Sequence, residues 1–146
     1  MAVRSSEAVW EGGLPHGKGS IKLGSGAWQG AYSFSSRFED GKGTNPEELI
    51  GAAHAGCFSM ALSLVLEQAG FKPERIDTTA RVSVDKVPEG FKITTIELET
   101  EGRVPGIDEK TFLEKAEAAK QGCPVSMALT GVEIRLRARL ATTKAA

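Results

Sequence analysis

Two cysteines, Cys57 and Cys123, and two histidines, His16 and His54, are the side chains of this chain best suited to covalent or acid–base chemistry. A cysteine acts as a nucleophile only as its thiolate, and an ordinary thiol ionises near pH ~8.5. Burial raises that value, so a reactive cysteine needs cationic help. In T-N-P-E-E-L-I-G-A-A-H-A-G-C-F, residues 44–58, His54 stands three positions before Cys57. On a helix the two share a face and can touch. A histidine on so apolar a helix also reads as a satisfied core residue. Arg37, in S-S-R-F-E, precedes the same stretch. By strand alternation it falls opposite the core-facing aromatics, the ordinary place for a surface arginine. Cys123, in Q-G-C-P-V-S, sits just past an expected helix end, where the backbone is locally free and a sulfur can swing toward a partner. The residues alone therefore give one helical thiol and one helix-end thiol, either a redox pair or two inert side chains.

Other chemistries find little support. The cysteines are far apart, so there is no C-x-x-C redox motif, and His16, His54, Cys57 and Cys123 match no zinc-ligand spacing. No metal and no cofactor are expected. The formal charge of −1 and the lack of basic runs argue against nucleic acid. R-L-R-A-R, residues 135–139, alternates like the wet face of a strand. The first ten residues contain no apolar leader core. The longest apolar stretch, residues 50–66, is broken by His54, Ser59 and Ser63, which favours a core helix over a membrane span. A cytoplasmic protein is expected, in which a structural disulfide is unusual.

The elements that must hold these residues follow from periodicity. A chain of 146 residues with 40% apolar side chains fits a single domain, residues 1–146, with 141–146 as a loose tail. Three short strands are expected in the first third, the last over residues 31–38, where Tyr32, Phe34, Ser36 and Phe38 alternate. A helix then opens with Asn45 as cap, Pro46 at its first position and Glu48 in its first turn, and ends at Gly70. It spans about 24 residues, or roughly 36 Å. Its apolar residues run nearly all round, which places it centrally. Strands over 79–84 and 91–100 follow, with a phase slip between Ile93 and Ile96 that suggests a bulge. A second helix is capped by Asp108 and stopped by Gly122, with a short helical turn after Pro124. The last strand, 132–140, alternates cleanly. The order βββ-α-ββ-α-β is α+β, with the long helix packed on antiparallel sheet.

The stretch 44–62, T-N-P-E-E-L-I-G-A-A-H-A-G-C-F-S-M-A-L, resembles the signature of the OsmC/Ohr family of osmotically inducible and organic-hydroperoxide-resistance proteins. Q-G-C-P-V-S, residues 121–126, resembles that family's second cysteine motif. Similarity extends through R-F-E-D-G-K-G, I-D-T-T-A, V-D-K-V and V-P-G-I-D, from about residue 9 to 140, and H-A-G-C-F-S-M-A-L favours the OsmC branch. The resemblance implies a thiol peroxidase of oxidative and osmotic stress defence that reduces organic hydroperoxides. It implies Cys57 as peroxidatic cysteine, Cys123 as resolving cysteine, Arg37 as the cation that holds the thiolate, and Glu47 as the acid that pairs with Arg37. It further implies a Cys57–Cys123 disulfide, reopened by an external dithiol (lipoyl-bearing proteins serve relatives), and an intertwined homodimer. Two other readings stand beside it: a non-catalytic stress or small-molecule-binding protein with the same fold, and a thiol hydrolase using Cys57 with His54 as base.

The resemblance and the helix geometry pull against each other within one chain. Ten residues separate Glu47 from Cys57, which on a continuous helix is roughly 15 Å of rise and about 80° around the axis. Arg37 could not easily serve both. Either the helix breaks, with Gly51 the obvious place, or the Arg37–Glu47 pair serves the Cys57 of a second subunit.

Overall fold

The structure, a computed structural model, describes residues 1–141. The chain forms two compact units, divided between Leu49 and Ile50.

In the first unit, β1 (Ser6–Glu11), β2 (Lys18–Leu23) and β3 (Gln29–Tyr32) make an antiparallel meander in the order β1-β2-β3. Gly19 pairs with both Trp10 and Tyr32, whose rings meet at 5.3 Å. A Cβ on Gly19 would come within 2.4 Å of the Tyr32 ring, so the aromatic contact requires a glycine there.

The third strand is shorter than expected. It stops at Tyr32, and α1 (Phe34–Phe38) replaces the rest. Ser33 starts this helix with a capping box, its hydroxyl accepting the Ser36 amide at 3.1 Å while the Ser36 hydroxyl accepts the Ser33 amide at 2.8 Å. Phe34 and Phe38, one helical turn apart, pack at 5.0 Å between ring centroids. Ser36 also donates to the Thr44 carbonyl at 2.7 Å, and Asn45 Nδ2 donates to the Ser36 carbonyl at 3.0 Å. These bonds tie α1 to the start of the next helix.

That helix, α2 (Pro46–Gln68), begins where Asn45 Oδ1 accepts the Glu48 amide at 2.8 Å. It ends in a Schellman turn: Gly70 takes φ +90°, its amide reaches the Glu67 carbonyl, and the Phe71 amide reaches the Leu66 carbonyl. The helix is unbroken through Gly51, which instead lies against Ala80 and Val82, its would-be Cβ 3.4–3.7 Å from their atoms.

The second unit is built on β4 (Arg75–Val87), β5 (Gly90–Arg103) and β6 (Glu133–Leu140), in that order. The β4–β5 pair is antiparallel, and Thr94 is the extra residue of a bulge, because Ser83 faces Thr95 while Val84 faces Ile93. The β5–β6 pair is parallel, which corrects the expectation of an all-antiparallel sheet. The crossover through α3 (Glu109–Gly122) and α4 (Pro124–Ala128) returns the chain to the same end of the sheet. Asp108 caps α3 as expected, but Gly122 belongs to the helix and Cys123 closes it.

Phe58, Leu62 and Leu66 of α2 form the core with Ile96 and Leu98 of β5, Phe112, Ala116 and Ala119 of α3, and Cys123. On the outer face Arg81, Arg135 and Arg139 pair with Glu99, Glu97 and Glu101, the expected wet side of the last strand. Ala141 is held, its amide donating to the Gly102 carbonyl at 2.8 Å, and the remainder of the expected loose tail lies outside the described residues. The long helix is not buried all round. His54, Phe58, Leu62 and Leu66 are fully buried, whereas Ala53, Gly56, Met60 and Leu64 on the other side are exposed, Met60 at 76% and Leu64 at 54%. By length and composition α2 is long and apolar enough to cross a membrane.

Candidate active site

Unit by unit, the structure pairs the four expected site residues two and two. In the first unit Arg37, in the last turn of α1, meets Glu47, in the first turn of α2. Arg37 Nε donates to both carboxylate oxygens at 3.1 Å and Nη2 donates to Oε1 at 2.7 Å. The Glu47 side chain is 7% exposed and that of Arg37 34%. Such a fork fixes the guanidinium plane and leaves its other nitrogen, Nη1, for a further anion. The guanidinium also lies 5.1 Å from the Phe38 ring centroid. Arg37 borders a recess of about 240 Å³ lined by Trp10, Leu14, Tyr32, Phe34 and Phe38. The capping box at Ser33 is what turns Arg37 toward Glu47, in place of the solvent-facing strand position expected from alternation.

In the second unit the two thiols come together. Cys57, in mid-α2, and Cys123, between α3 and α4, have their sulfurs 3.0 Å apart. Both are free, Cys57 partly exposed and Cys123 fully buried. The expectation of a swinging sulfur on a loose backbone is corrected. The Cys123 amide donates to the Ala119 carbonyl at 2.9 Å and its carbonyl accepts the Met127 amide at 3.0 Å, so the residue is pinned on both sides.

The environments of the sulfurs differ. Burial, and then the hydrogen bond with Cys123, push the Cys57 thiol up; the Val125 amide opposes them, and no cation among the described residues of this unit acts on it. Burial also works to raise Cys123, but the hydrogen bond with Cys57, the Ser126 amide and hydroxyl, and the Val125 amide outweigh it and bring Cys123 below the ordinary value. Two sulfurs this close share a proton.

His54 is fully buried, and burial holds its pKa below the usual histidine value. Its Nε2 lies 2.7 Å from Ser126 Oγ, and Nδ1 has no hydrogen-bond partner among the described residues. Its side-chain bond thus goes to Ser126, and not to Cys57 as a hydrolase base would require. It is a core histidine, though only half satisfied. Ser126, which no expectation from the sequence singled out, lies three residues after Cys123 as His54 lies three before Cys57. That symmetric spacing was the available signal. Among the described residues no group of three or more His, Cys, Asp or Glu side chains is placed to hold a metal ion.

Comparisons with known proteins give the chain its relatives. Residues 39–137 match the family model described as OsmC-like protein. The chain is 58% identical over 127 residues to peroxiredoxin OsmC of Escherichia coli (strain K12), covering 86% of this chain and 89% of that one. It is 36% identical over 92 residues to the organic hydroperoxide resistance protein of Xanthomonas axonopodis pv. citri (strain 306), covering 62% of this chain and 63% of that one. The crystal structure of an organic hydroperoxide resistance protein OsmC from Legionella pneumophila superposes with a TM-score of 0.75 at 26% identity, over 94% of this chain and 98% of that one. With a family model matched over residues 39–137 and a relative 58% identical over 86% of this sequence, the chain belongs to the OsmC-like family.

Proposed function

We propose that this protein is a cysteine-based peroxidase that reduces organic hydroperoxides to alcohols in defence against oxidative and osmotic stress. The observation that carries the reading is the Cys57–Cys123 pair, with sulfurs 3.0 Å apart, one partly exposed and one buried. A peroxide can reach only the exposed sulfur, so Cys57 is the peroxidatic residue. Its thiolate attacks the distal peroxide oxygen, the O–O bond breaks, and the alkoxide leaves as the alcohol after taking a proton. Cys57 is left as a sulfenic acid. Cys123 attacks the sulfenic sulfur from its place beside it, water departs, and a Cys57–Cys123 disulfide remains. An external dithiol, such as that of a lipoyl protein, reopens it.

The thiolate on Cys57 calls for a cation, and among the described residues of its own unit none acts on it. Arg37, oriented by Glu47, supplies it from a second copy of the chain. The helix that carries both Glu47 and Cys57 is continuous, so the rise of roughly 15 Å between them stands. The aromatic recess beside Arg37 suits the apolar part of an organic hydroperoxide. A sequence identity of 58% to a peroxiredoxin supports the same chemistry.

Mass spectrometry after one equivalent of cumene hydroperoxide tests the reading. The expected product is the loss of two hydrogens, mapped to Cys57–Cys123. Cys57→Ser should consume no peroxide, while Cys123→Ser should turn over about once and stall as sulfenic or over-oxidised Cys57. An unmodified protein after peroxide, or activity that survives Cys57→Ser, would overturn it.

A further inference from the structure

Cys123 is fully buried and pinned, and the peroxidase cycle asks it to become a nucleophile at the moment Cys57 is oxidised. A buried thiolate without donors is costly. The donors present are neutral: the Ser126 hydroxyl and amide and the Val125 amide act on the Cys123 sulfur, and Cys57 is the titratable group beside it. Behind Ser126 stands His54, whose Nε2 is 2.7 Å from Ser126 Oγ and whose Nδ1 is buried without a partner among the described residues. The unpartnered nitrogen indicates the tautomer. A buried N–H left without an acceptor is rarer than a buried acceptor left without a donor. Nδ1 is therefore the bare nitrogen and Nε2 carries the hydrogen. Nε2–H then donates to Ser126 Oγ, which frees the Ser126 hydroxyl hydrogen for Cys123.

We infer that His54 and Ser126 are positioning residues of the resolving step, a donor chain from His54 Nε2–H through Ser126 Oγ–H that holds the Cys123 sulfur against Cys57 and stabilises it as a thiolate. The inference rests on the peroxidase reading and names residues that act through Cys123 without touching peroxide. While Cys57 is the thiolate, Cys123 keeps the proton that the pair shares. Oxidation of Cys57 to the sulfenic acid removes that competing anion. The Cys123 proton balances the departing alkoxide, and the charge settles on Cys123, where the donor chain receives it. Cys123 thiolate then attacks the sulfenic sulfur, the S–O bond breaks, and the leaving hydroxide takes a proton from solvent to give water. His54 stays neutral throughout, in keeping with its burial.

Stopped-flow oxidation with one equivalent of cumene hydroperoxide, with dimedone trapping the sulfenic acid, separates the two steps. In the unaltered protein the trap competes poorly with closure. In Ser126→Ala and in His54→Leu, sulfenic acid should form, persist and be trapped, with closure slowed about tenfold or more. His54→Gln, whose amide nitrogen can donate to Ser126 without titrating, should restore most of the rate. A second readout needs no peroxide: in a Cys57→Ser background, Ser126→Ala and His54→Leu should both move the Cys123 thiolate titration, followed near 240 nm, to higher pH. Closure and titration unchanged in both variants would overturn the inference while leaving the peroxidase reading intact. His54→Gln as slow as His54→Leu would overturn the donor tautomer. Failure of the unaltered protein to form any sulfenic acid or disulfide would sink the peroxidase reading itself, and the resolving role with it.

Discussion

At the scale of the residue, the two thiols show how position decides chemistry between identical side chains. Cys57 is partly exposed but its thiol is pushed up by burial; Cys123 is better supplied with donors but fully buried. A cysteine that both reaches peroxide and carries charge therefore needs help from outside its unit. Arg37 brings a guanidinium, and its fork to Glu47 fixes the direction in which that group points. Arg37→Ala should raise the Cys57 pKa, because the charged form loses its stabilising partner. At pH 7 the thiolate fraction falls, and the first-turnover rate falls with it, about tenfold for every rise of one in that pKa. Thiolate absorbance against pH in a Cys123→Ser background measures the change. An unmoved titration would show that Arg37 acts on something else. Cys57, Cys123, Arg37 and Glu47 were all visible in the sequence, but their roles came from motif resemblance. Ser126 was not singled out, since its spacing from Cys123 gains meaning only once His54, its partner across the core, is known.

At the scale of the element, local chemistry was legible and non-local pairing was not. The caps Asn45 and Asp108, the Gly70 stop and the bulge near Thr94 each depend on neighbours in sequence, and each could be read there. Tyr32, Phe34, Ser36 and Phe38 fit both a strand of period two and a helical i, i+4 aromatic pair, and the Ser33–Ser36 capping box decides for the helix. The parallel β5–β6 pairing depends on the path of the crossover, which periodicity does not encode. The same crossover presses α3 onto the sheet at Gly102, where an added Cβ would lie 2.6 Å from the Phe112 ring. Phe112 is fully buried and has nowhere to retreat. Gly102→Ala should therefore cost about 1–3 kcal/mol of unfolding free energy, read from the denaturant midpoint at unchanged slope. A loss under about 0.5 kcal/mol would mean that the α3–β5 contact is looser than its geometry indicates.

At the scale of the whole molecule, the unfinished surface is the outer side of α2. Ala53, Gly56, Met60 and Leu64 line one face of the helix and stand exposed, where a soluble chain would cover so continuous an apolar stripe. The small residues Ala53 and Gly56 admit close approach of another backbone. A second copy would cover this face and could bring its own Arg37–Glu47 pair to Cys57, which meets both the apolar and the electrostatic requirement with one partner. We therefore expect a homodimer with two composite sites. Sedimentation at working concentrations should give the dimer mass, and Met60→Glu, which plants a charge in the covered stripe, should lower that mass toward the monomer and lower peroxidase activity together. Complementation provides the sharper test. Neither Cys57→Ser nor Arg37→Ala homodimers should turn over efficiently, yet a mixed dimer keeps one site with Cys57 from one subunit and Arg37 from the other. After verified subunit exchange, a statistical mixture contains about half mixed dimers with one working site each, so activity should return to about a quarter of the unaltered level. If verified exchange restores nothing, Arg37 and Cys57 belong to one chain and the composite site is wrong.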